Sequence, residues 1–477
     1  MRAEATGPKC SVRTGLKREL GLGSAMILVI ANMIGTGIFT TSGFVMESVG
    51  DPVAMLLCWF AGGILALSGA LCYGELGAMF PRAGGEYVFL RESLGKLMGF
   101  LSGWISLIVG FSAPIAAAAI AFASYFFRVF PEGLIHDPRV PLIDSGFFSI
   151  TPFTLLAVSI ILLFSLIHCY SLYFGSRVQN VLTAVKIVVI LVFVFAGFGF
   201  GKGSMDHFHW RSGLEFASPG SFAAALIFIS FAYSGWNAAA YLGAEIKNPG
   251  KNIPRALFWG TLFVMVLYLF LNAVFIYALP SGEISGVIEV GAKSAFALFG
   301  GRIEKAFSLA ITFCILSVIS AMVMAGPRVY YAMARDGLFF ERLGRVTRAH
   351  GTPASSILLQ AVIAMLMVIT ASFDKLLLFM GFTLSLFAML SVIGMMVLRV
   401  KGQYLDRPYK TFGYPITPIL FILFNLWIIL FCIKGKPVVS LFGAGTIAVG
   451  ILAFYWRKKA FFKHPFKSKG FHGSLKK

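Results

Sequence analysis

Apolar residues run through this chain in long stretches, separated by short polar joints rich in glycine and proline. Each stretch is about as long as a helix needs to cross a bilayer. At about 20 apolar residues per crossing, the pattern predicts about 12 helices. They fall at 22–46, 52–79, 97–127, 152–170, 178–200, 219–243, 256–279, 304–333, 355–372, 376–398, 416–433 and 437–456. The third is long, and Pro114 is expected to bend it rather than end it. After the second, Arg91, Glu92 and Lys96 alternate with Phe89, Leu90 and Leu94, a pattern suited to an interfacial helix. The loops at about 131–150, 201–218 and 280–303 are moderately polar and too short to be domains.

Two of the stretches are interrupted in matching ways. The first reads Ile34-Gly35-Thr36-Gly37-Ile38-Phe39, and the second, about 200 residues later, Phe231-Ala232-Tyr233-Ser234-Gly235-Trp236-Asn237. Glycine is among the poorest helix formers, so Gly35 and Gly37 invite a break at membrane depth. Backbone freed there is costly against lipid and must line a protein cavity. Paired breaks at corresponding positions of two halves point to a transporter's substrate site. Unwinding near Gly35–Gly37 would aim the N–H groups of the outer half-helix at a carboxylate, with Thr36 adding a hydroxyl. Carbonyls ending the inner half would accept from an ammonium group, so backbone alone can hold a zwitterion. In the second break, Phe231, Tyr233 and Trp236 surround Ser234 and Gly235, placed to pack over a bound molecule. Asn237 can bridge backbone or a hydroxyl. Taken singly, a glycine pair also suits close helix packing, and an aromatic cluster also suits a membrane belt.

Composition fixes the class. Of 477 residues, 58% are hydrophobic and only 13% charged. Soluble domains carry nearer a quarter charged residues, so this is an all-α integral membrane protein. The net charge of +20 raises the question of nucleic acid, and the placement of the charge answers it. Of the 40 Lys and Arg, 29 fall in one alternating set of segments, including both tails. Positive-inside logic puts both termini in the cytoplasm and the number of spans even. The basic tail from Arg457 then faces anionic lipid rather than nucleic acid. Arg13, Lys17 and Arg18 lead into a long uninterrupted segment, unlike a cleavable signal peptide. The six cysteines show no CxxC or Cys/His spacing for zinc and are expected to be packing residues without a structural disulfide.

Lys186 is the one firmly ionisable side chain read as deep within a span, about nine residues past Arg177 or roughly 13 Å of helix rise. A charge at that depth suggests function, with snorkelling as the plain alternative. It either fills a cation site permanently or releases a proton. No carboxylate is read as mid-span: Glu75 lies near one end of the second span. A strongly basic substrate would want a buried acid, whereas a neutral zwitterion does not. No Walker sequence, HExxH, GxSxG or paired-acid set is visible, which argues against ATP-driven pumping and against a membrane enzyme. No cofactor or metal is expected.

At these residues the chain resembles the amino acid–polyamine–organocation superfamily, in particular its L-amino-acid transporter branch, over nearly its whole length. The markers are Gly35-Thr36-Gly37-Ile38-Phe39, Pro81-Arg82-Ala83-Gly84-Gly85-Glu86-Tyr87, Glu245-Ile246-Lys247-Asn248-Pro249 with Asn252 and Pro254-Arg255, and Ala334-Arg335-Asp336-Gly337. The resemblance implies an inverted-repeat core of ten spans, split 22–200 and 219–398, with helices 1 and 6 discontinuous. Two further helices at 416–456 and cytoplasmic tails at 1–21 and 457–477 complete the chain. It also implies that Ile34–Ile38 and Phe231–Asn237 bind the α-amino and α-carboxyl groups of an L-amino acid. Lys186 matches a family lysine standing in for a sodium site, so sodium-independent exchange or proton-linked uptake is expected. Asn237 falls where some proton-linked relatives carry glutamate, which puts that coupling in doubt. Members that pair with a glycoprotein heavy chain carry a cysteine in the loop after span three. Residues 131–150 have none, so a standalone bacterial inner-membrane transporter is expected, monomer or homodimer. A polyamine or cationic amino acid carrier, and an amino acid sensor that does not transport, are the competing readings.

Overall fold

A computed structural model describes residues 16–128, 140–144, 149–209, 219–287, 289–347, 351–370, 373–435 and 437–462. Both expected tails, most of the loop at 131–150, and Cys10 lie wholly or largely outside the described residues. The first span is two helices, α1 (Leu22–Met33) and α2 (Thr36–Val49), bent by 43° at the break. α3 (Pro52–Met79) follows, started by Asp51, whose carboxylate accepts from the amides of Val53 and Ala54, with Pro52 in the first turn. A short α4 (Glu86–Leu94) leads to α5 (Lys96–Ile105), which continues through π-helical turns over Ser106–Ser112 into α6 (Ala113–Arg128). Pro114 has no N–H to give back to the preceding turn, and the widened stretch just ahead of it keeps the span continuous.

A two-residue antiparallel pair, β1 (Ile143–Asp144) with β2 (Ser149–Ile150), precedes α7 (Pro152–Tyr170) and α8 (Leu172–Phe200). α9 (Pro219–Ala232) and the four-residue α10 (Ala238–Tyr241) form the second interrupted span. α11 (Pro249–Ala278) is followed by two short helices, α12 (Ser281–Ile284) and α13 (Val290–Phe299), where the sequence suggested only a loop. α14 (Gly301–Ala325) and α15 (Pro327–Arg335) make one span, and α16 (Ala354–Thr370), α17 (Phe373–Lys401), α18 (Ile416–Gly435) and α19 (Pro437–Phe462) complete the chain. Among the described residues, eight long apolar helices, one broken pair and three shorter apolar helices at 220–232, 354–370 and 440–456 occupy the twelve expected positions.

The window of α5–α6 is 78% buried inside the protein, that of α7 only 28%, so the former is central and the latter peripheral. Leu155, Leu162 and Leu166 of α7 and Val181, Val188 and Phe195 of α8 point outward, as lipid-facing side chains do. Two expectations change. α4 does not lie on a lipid surface with an apolar stripe beneath it: Glu86 through Leu90 are all buried within the protein. α8 begins at Leu172, immediately after the capping residue Ser171, because Arg177 lies inside the helix over the Tyr173 ring. Lys186 is therefore fourteen residues from the helix start, about 21 Å of rise rather than 13 Å.

One face of the bundle, here the terminal face, carries the chain around Leu20 and the loops near 80–85, 242–248, 336–353 and 402–415. It is tied together by backbone. Glu19 and Leu20 donate to the carbonyl of Glu245 at 2.9 Å each, Lys247 donates to Leu20 at 2.9 Å, and Gly84 donates to Tyr241 at 3.0 Å. Beneath them, Arg328 and Glu245 form a bidentate ion pair at 2.9 and 3.1 Å with both side chains buried. In the sequence Glu245 reads as a loop charge and Arg328 as a charge near the end of the span at 304–333. Removing one partner strands the other in a dry site at a cost of about 3–5 kcal/mol. Arg328→Leu should therefore lower the melting temperature sharply, and Glu245→Leu combined with Arg328→Leu should recover much of the loss in the same thermal assay.

Candidate functional site

The break in the first span exposes the last carbonyls of α1. Ile34 leaves helical geometry and Gly35 is extended. Lys186 of α8, wholly buried, donates from Nζ to the carbonyls of Ala31 at 3.2 Å and Ile34 at 2.5 Å. The Tyr268 hydroxyl of α11 donates to Met33 O at 2.7 Å and lies 3.1 Å from Ala232 O, at the end of α9. The carbonyls assigned in the sequence to an ammonium group thus do accept one, and it is the protein's own. The first turn of α2, from Thr36, has no side chain capping it.

The second break runs from Tyr233 to Asn237, with Gly235 at φ 95°, a conformation that favours glycine. The two breaks interlock. A Cβ on Gly37 would stand 2.7 Å from the Ala232 Cα, and one on Gly235 would stand 2.8 Å from the Asn32 carbonyl. Gly35 is less confined, with its nearest neighbour at 3.6 Å from such a Cβ.

The aromatic residues of this stretch diverge. Tyr233 turns into the interior against Trp59 and Tyr268 and donates to Trp59 O at 3.1 Å. Trp236 packs edge-on against Tyr73 at 4.7 Å and against Phe421 at 5.8 Å. A cavity of about 130 Å³ is lined by Phe231, Tyr233, Ser234, Gly235, Trp236 and Asn237 from the second break, together with Asn32, Phe111 and Glu86. Ile34, Gly35, Thr36, Gly37, Ile38 and Ala232 are not in its wall; five of these six are buried beside it, in packed contact.

Glu86 is the group that sequence reading passed over. It opens α4, outside the membrane-spanning helices, where an acid ordinarily serves the helix dipole. Here Gly84 and Gly85, both at positive φ, turn the chain so that Glu86 faces the cavity. Its Oε1 accepts from Tyr73 Oη and Asn237 Nδ2, both at 2.8 Å, and Asn237 also reaches Tyr241 Oη at 3.2 Å. Burial pushes the carboxyl up to about 7, against hydrogen bonds from Tyr73, Asn237 and Tyr241 that favour its charged form. No described cation pairs with it. Among the described residues no cluster of His, Cys, Asp and Glu is arranged to hold a metal, and the five described cysteines are unpaired.

The amino-acid sequence that builds this arrangement has counterparts among known proteins. A family model described as amino acid permease matches residues 20–457. The chain belongs to the amino acid permease family. This permease is 33% identical over 409 residues to the serine/threonine exchanger SteT of Bacillus subtilis (strain 168), a match covering 85% of this chain and 89% of the relative. It is 29% identical over 469 residues to the large neutral amino acids transporter small subunit 2 of Mus musculus, covering 95% and 85%. It is also 29% identical over 432 residues to the b(0,+)-type amino acid transporter 1 of Homo sapiens, covering 89% and 84%. The resemblance read from the motifs is thereby shown at the level of the family, which is one of membrane permeases rather than enzymes.

Two outcomes follow from the geometry. Gly37→Ala should impair substrate binding by about fivefold or more through overpacking of about 1–3 kcal/mol against Ala232, while Gly35→Ala stays near wild type in the same binding titration. Because the Glu86 carboxyl is raised from 4.5 to about 7 in the fold, its contribution to stability is intact below about pH 4.5 and lost as pH rises through about 7. Wild type should therefore lose a few degrees of melting temperature relative to Glu86→Gln between about pH 5 and about pH 8; parallel curves would mean that Glu86 does not titrate in this range.

Proposed function

We propose that this permease exchanges small neutral L-amino acids across the plasma membrane by alternating access, without sodium, and with both termini in the cytoplasm. The observation that carries the reading is the Lys186 ammonium seated on the carbonyls of the broken first span. A fixed internal cation at that place leaves no need for a coupling metal ion there. The substrate's carboxylate is assigned to the uncapped first turn of α2, within Thr36–Ile38, and its ammonium to the turn Phe231–Asn237, once the interlock at Gly37 and Ala232 opens. A cavity of about 130 Å³ is small beside the roughly 300–1,000 Å³ of drug-sized sites, and its wall includes Ser106, Ser234, Ser385 and Asn425. Small, polar side chains suit it, in keeping with the serine/threonine exchange named for the Bacillus relative.

The division into two five-helix repeats, 22–200 and 219–398, is part of the same reading. α1 runs away from the terminal face and α9 runs toward it, each broken part-way, as inverted repeats require. The pair α18–α19 is then an addition. The absence of cysteine from residues 131–150 supports a transporter without a disulfide-linked heavy chain.

A second reading has one observation in its favour: the cavity wall holds a carboxylate, Glu86, which would attract a cationic amino acid. Tyr73 and Asn237 already occupy its Oε1, which favours a positioning role over substrate binding. Both readings meet one experiment. In sodium-free proteoliposomes, labelled L-alanine and L-serine should enter only vesicles preloaded with neutral amino acids, L-leucine should enter less well, and excess L-lysine should not compete. Lys186→Ala should cut that exchange at least tenfold while still purifying as a folded protein. Uptake into empty vesicles driven by an inward proton gradient would replace exchange with proton-linked import.

A further inference from the structure

A second concave feature lies on the outside of the bundle. At the terminal face, α3, the start of α11 and the loop between α17 and α18 enclose a slot of about 540 Å³. Its walls are apolar: Leu71, Pro254, Phe258, Tyr409 and Phe412. Lys251, Arg255 and Trp259 stand on its rim at i, i+4 and i+8 of α11, hence on one helix face. All three are exposed. Among the described residues neither cation has a carboxylate partner, and no acid lines the slot. Unpaired cations over an apolar slot, with an exposed Trp below, match the layering of a membrane surface: charge outermost, indole beneath, hydrocarbon deepest.

The slot is preformed rather than a loose gap. Its loop wall is pinned to α3 by Glu75, which accepts from the Thr411 amide at 2.7 Å and the Thr411 hydroxyl at 2.8 Å, and from Arg399 at 2.9 and 2.5 Å. Glu75 is wholly buried. The walls are closely packed: a Cβ on Gly74 of α3 would meet Pro254 and Tyr409 at 3.2 Å, and one on Gly250 would meet Pro408 at 3.1 Å. A rigid pocket loses little freedom when filled.

We propose that this slot is a binding site for one anionic phospholipid, its phosphate on Lys251 and Arg255 and an acyl chain between Phe258 and Phe412. The charge selects the headgroup, and the apolar walls favour an acyl chain over a free phosphate compound as the occupant. Neither residue touches the substrate cavity, so the site is separate from the transport pathway.

The test uses the full-length protein purified in detergent and equilibrated with equimolar phosphatidylglycerol and phosphatidylcholine of matched chains, with retained lipid counted by mass spectrometry. Wild type should retain one phosphatidylglycerol with a preference of roughly tenfold or more, as two interfacial cations provide. Lys251→Gln with Arg255→Gln should erase that preference, and Arg342→Gln, an exposed basic residue of the same face, should preserve it. Phe258→Ser should weaken retention of phosphatidylglycerol while leaving folding intact by melting temperature. Equal retention of the two lipids by wild type, or an unchanged preference in the double variant, overturns the proposal. So does displacement of the lipid by millimolar glycerol phosphate, which would assign the site to a free phosphate.

Discussion

A helix that stops in the middle of a membrane leaves carbonyls with no water to bond to, and the rest of this structure is arranged around answering them. Lys186 and Tyr268 supply the donors, one from α8 and one from α11. Each reaches the break from a different helix, so the interruption is held from two sides. The desolvation of a lysine at this depth is offset by carbonyls that would otherwise be unsatisfied, and each need removes the other's penalty. Without the break, a buried lysine would be an expensive liability; without the lysine, so would the break.

The same logic joins the two interrupted spans. Tyr268 lies within hydrogen-bond distance of carbonyls from both, and Gly37 and Gly235 let each span cross the other's end at a separation that no side chain allows. The breaks therefore form one mechanical unit. A movement of α2 away from α9 is felt at Ala232, one residue from the turn that walls the cavity and continues to Asn237 and Glu86. The breaks and the terminal face are thus connected through Ala232, Asn237 and Glu86.

Much of this was legible in the sequence, for physical reasons that also mark where reading stops. Long apolar runs are forced by the bilayer, so all twelve segments were visible. The glycine-bearing interruptions were visible because they recur in matching positions of two halves, which helix packing alone does not require. Lys186 stood out because a charge there is costly. Its depth was misjudged because Arg177 looked like a boundary, whereas its guanidinium lies over Tyr173 inside the helix. Glu86, Glu245 and Arg328 were hidden for a related reason: charges at helix ends are commonplace, and only the folded chain shows that these are buried. The shape of the cavity was beyond reach, since it depends on Phe111, Leu384 and Phe421 from helices whose register no local pattern fixes.

Backbone hydrogen bonds help to shut both ends of the cavity, but with different companions. On the terminal face the closure is backbone pairing around Leu20, Gly84 and Tyr241, backed by the Arg328–Glu245 pair. On the opposite face α2 is held by both kinds of contact: Phe44 stacks on Phe228 at 5.2 Å, and Gly286 donates to the Gly43 carbonyl at 3.0 Å. Parting hydrogen bonds exchanges one set of polar partners for water, whereas parting aromatic faces wets hydrocarbon and raises the heat capacity. The two seams should then respond unlike one another to temperature, the stacked aromatic pair adding the larger heat-capacity change. Warming therefore bears differently on the aromatic part of one seam than on the ion-paired part of the other.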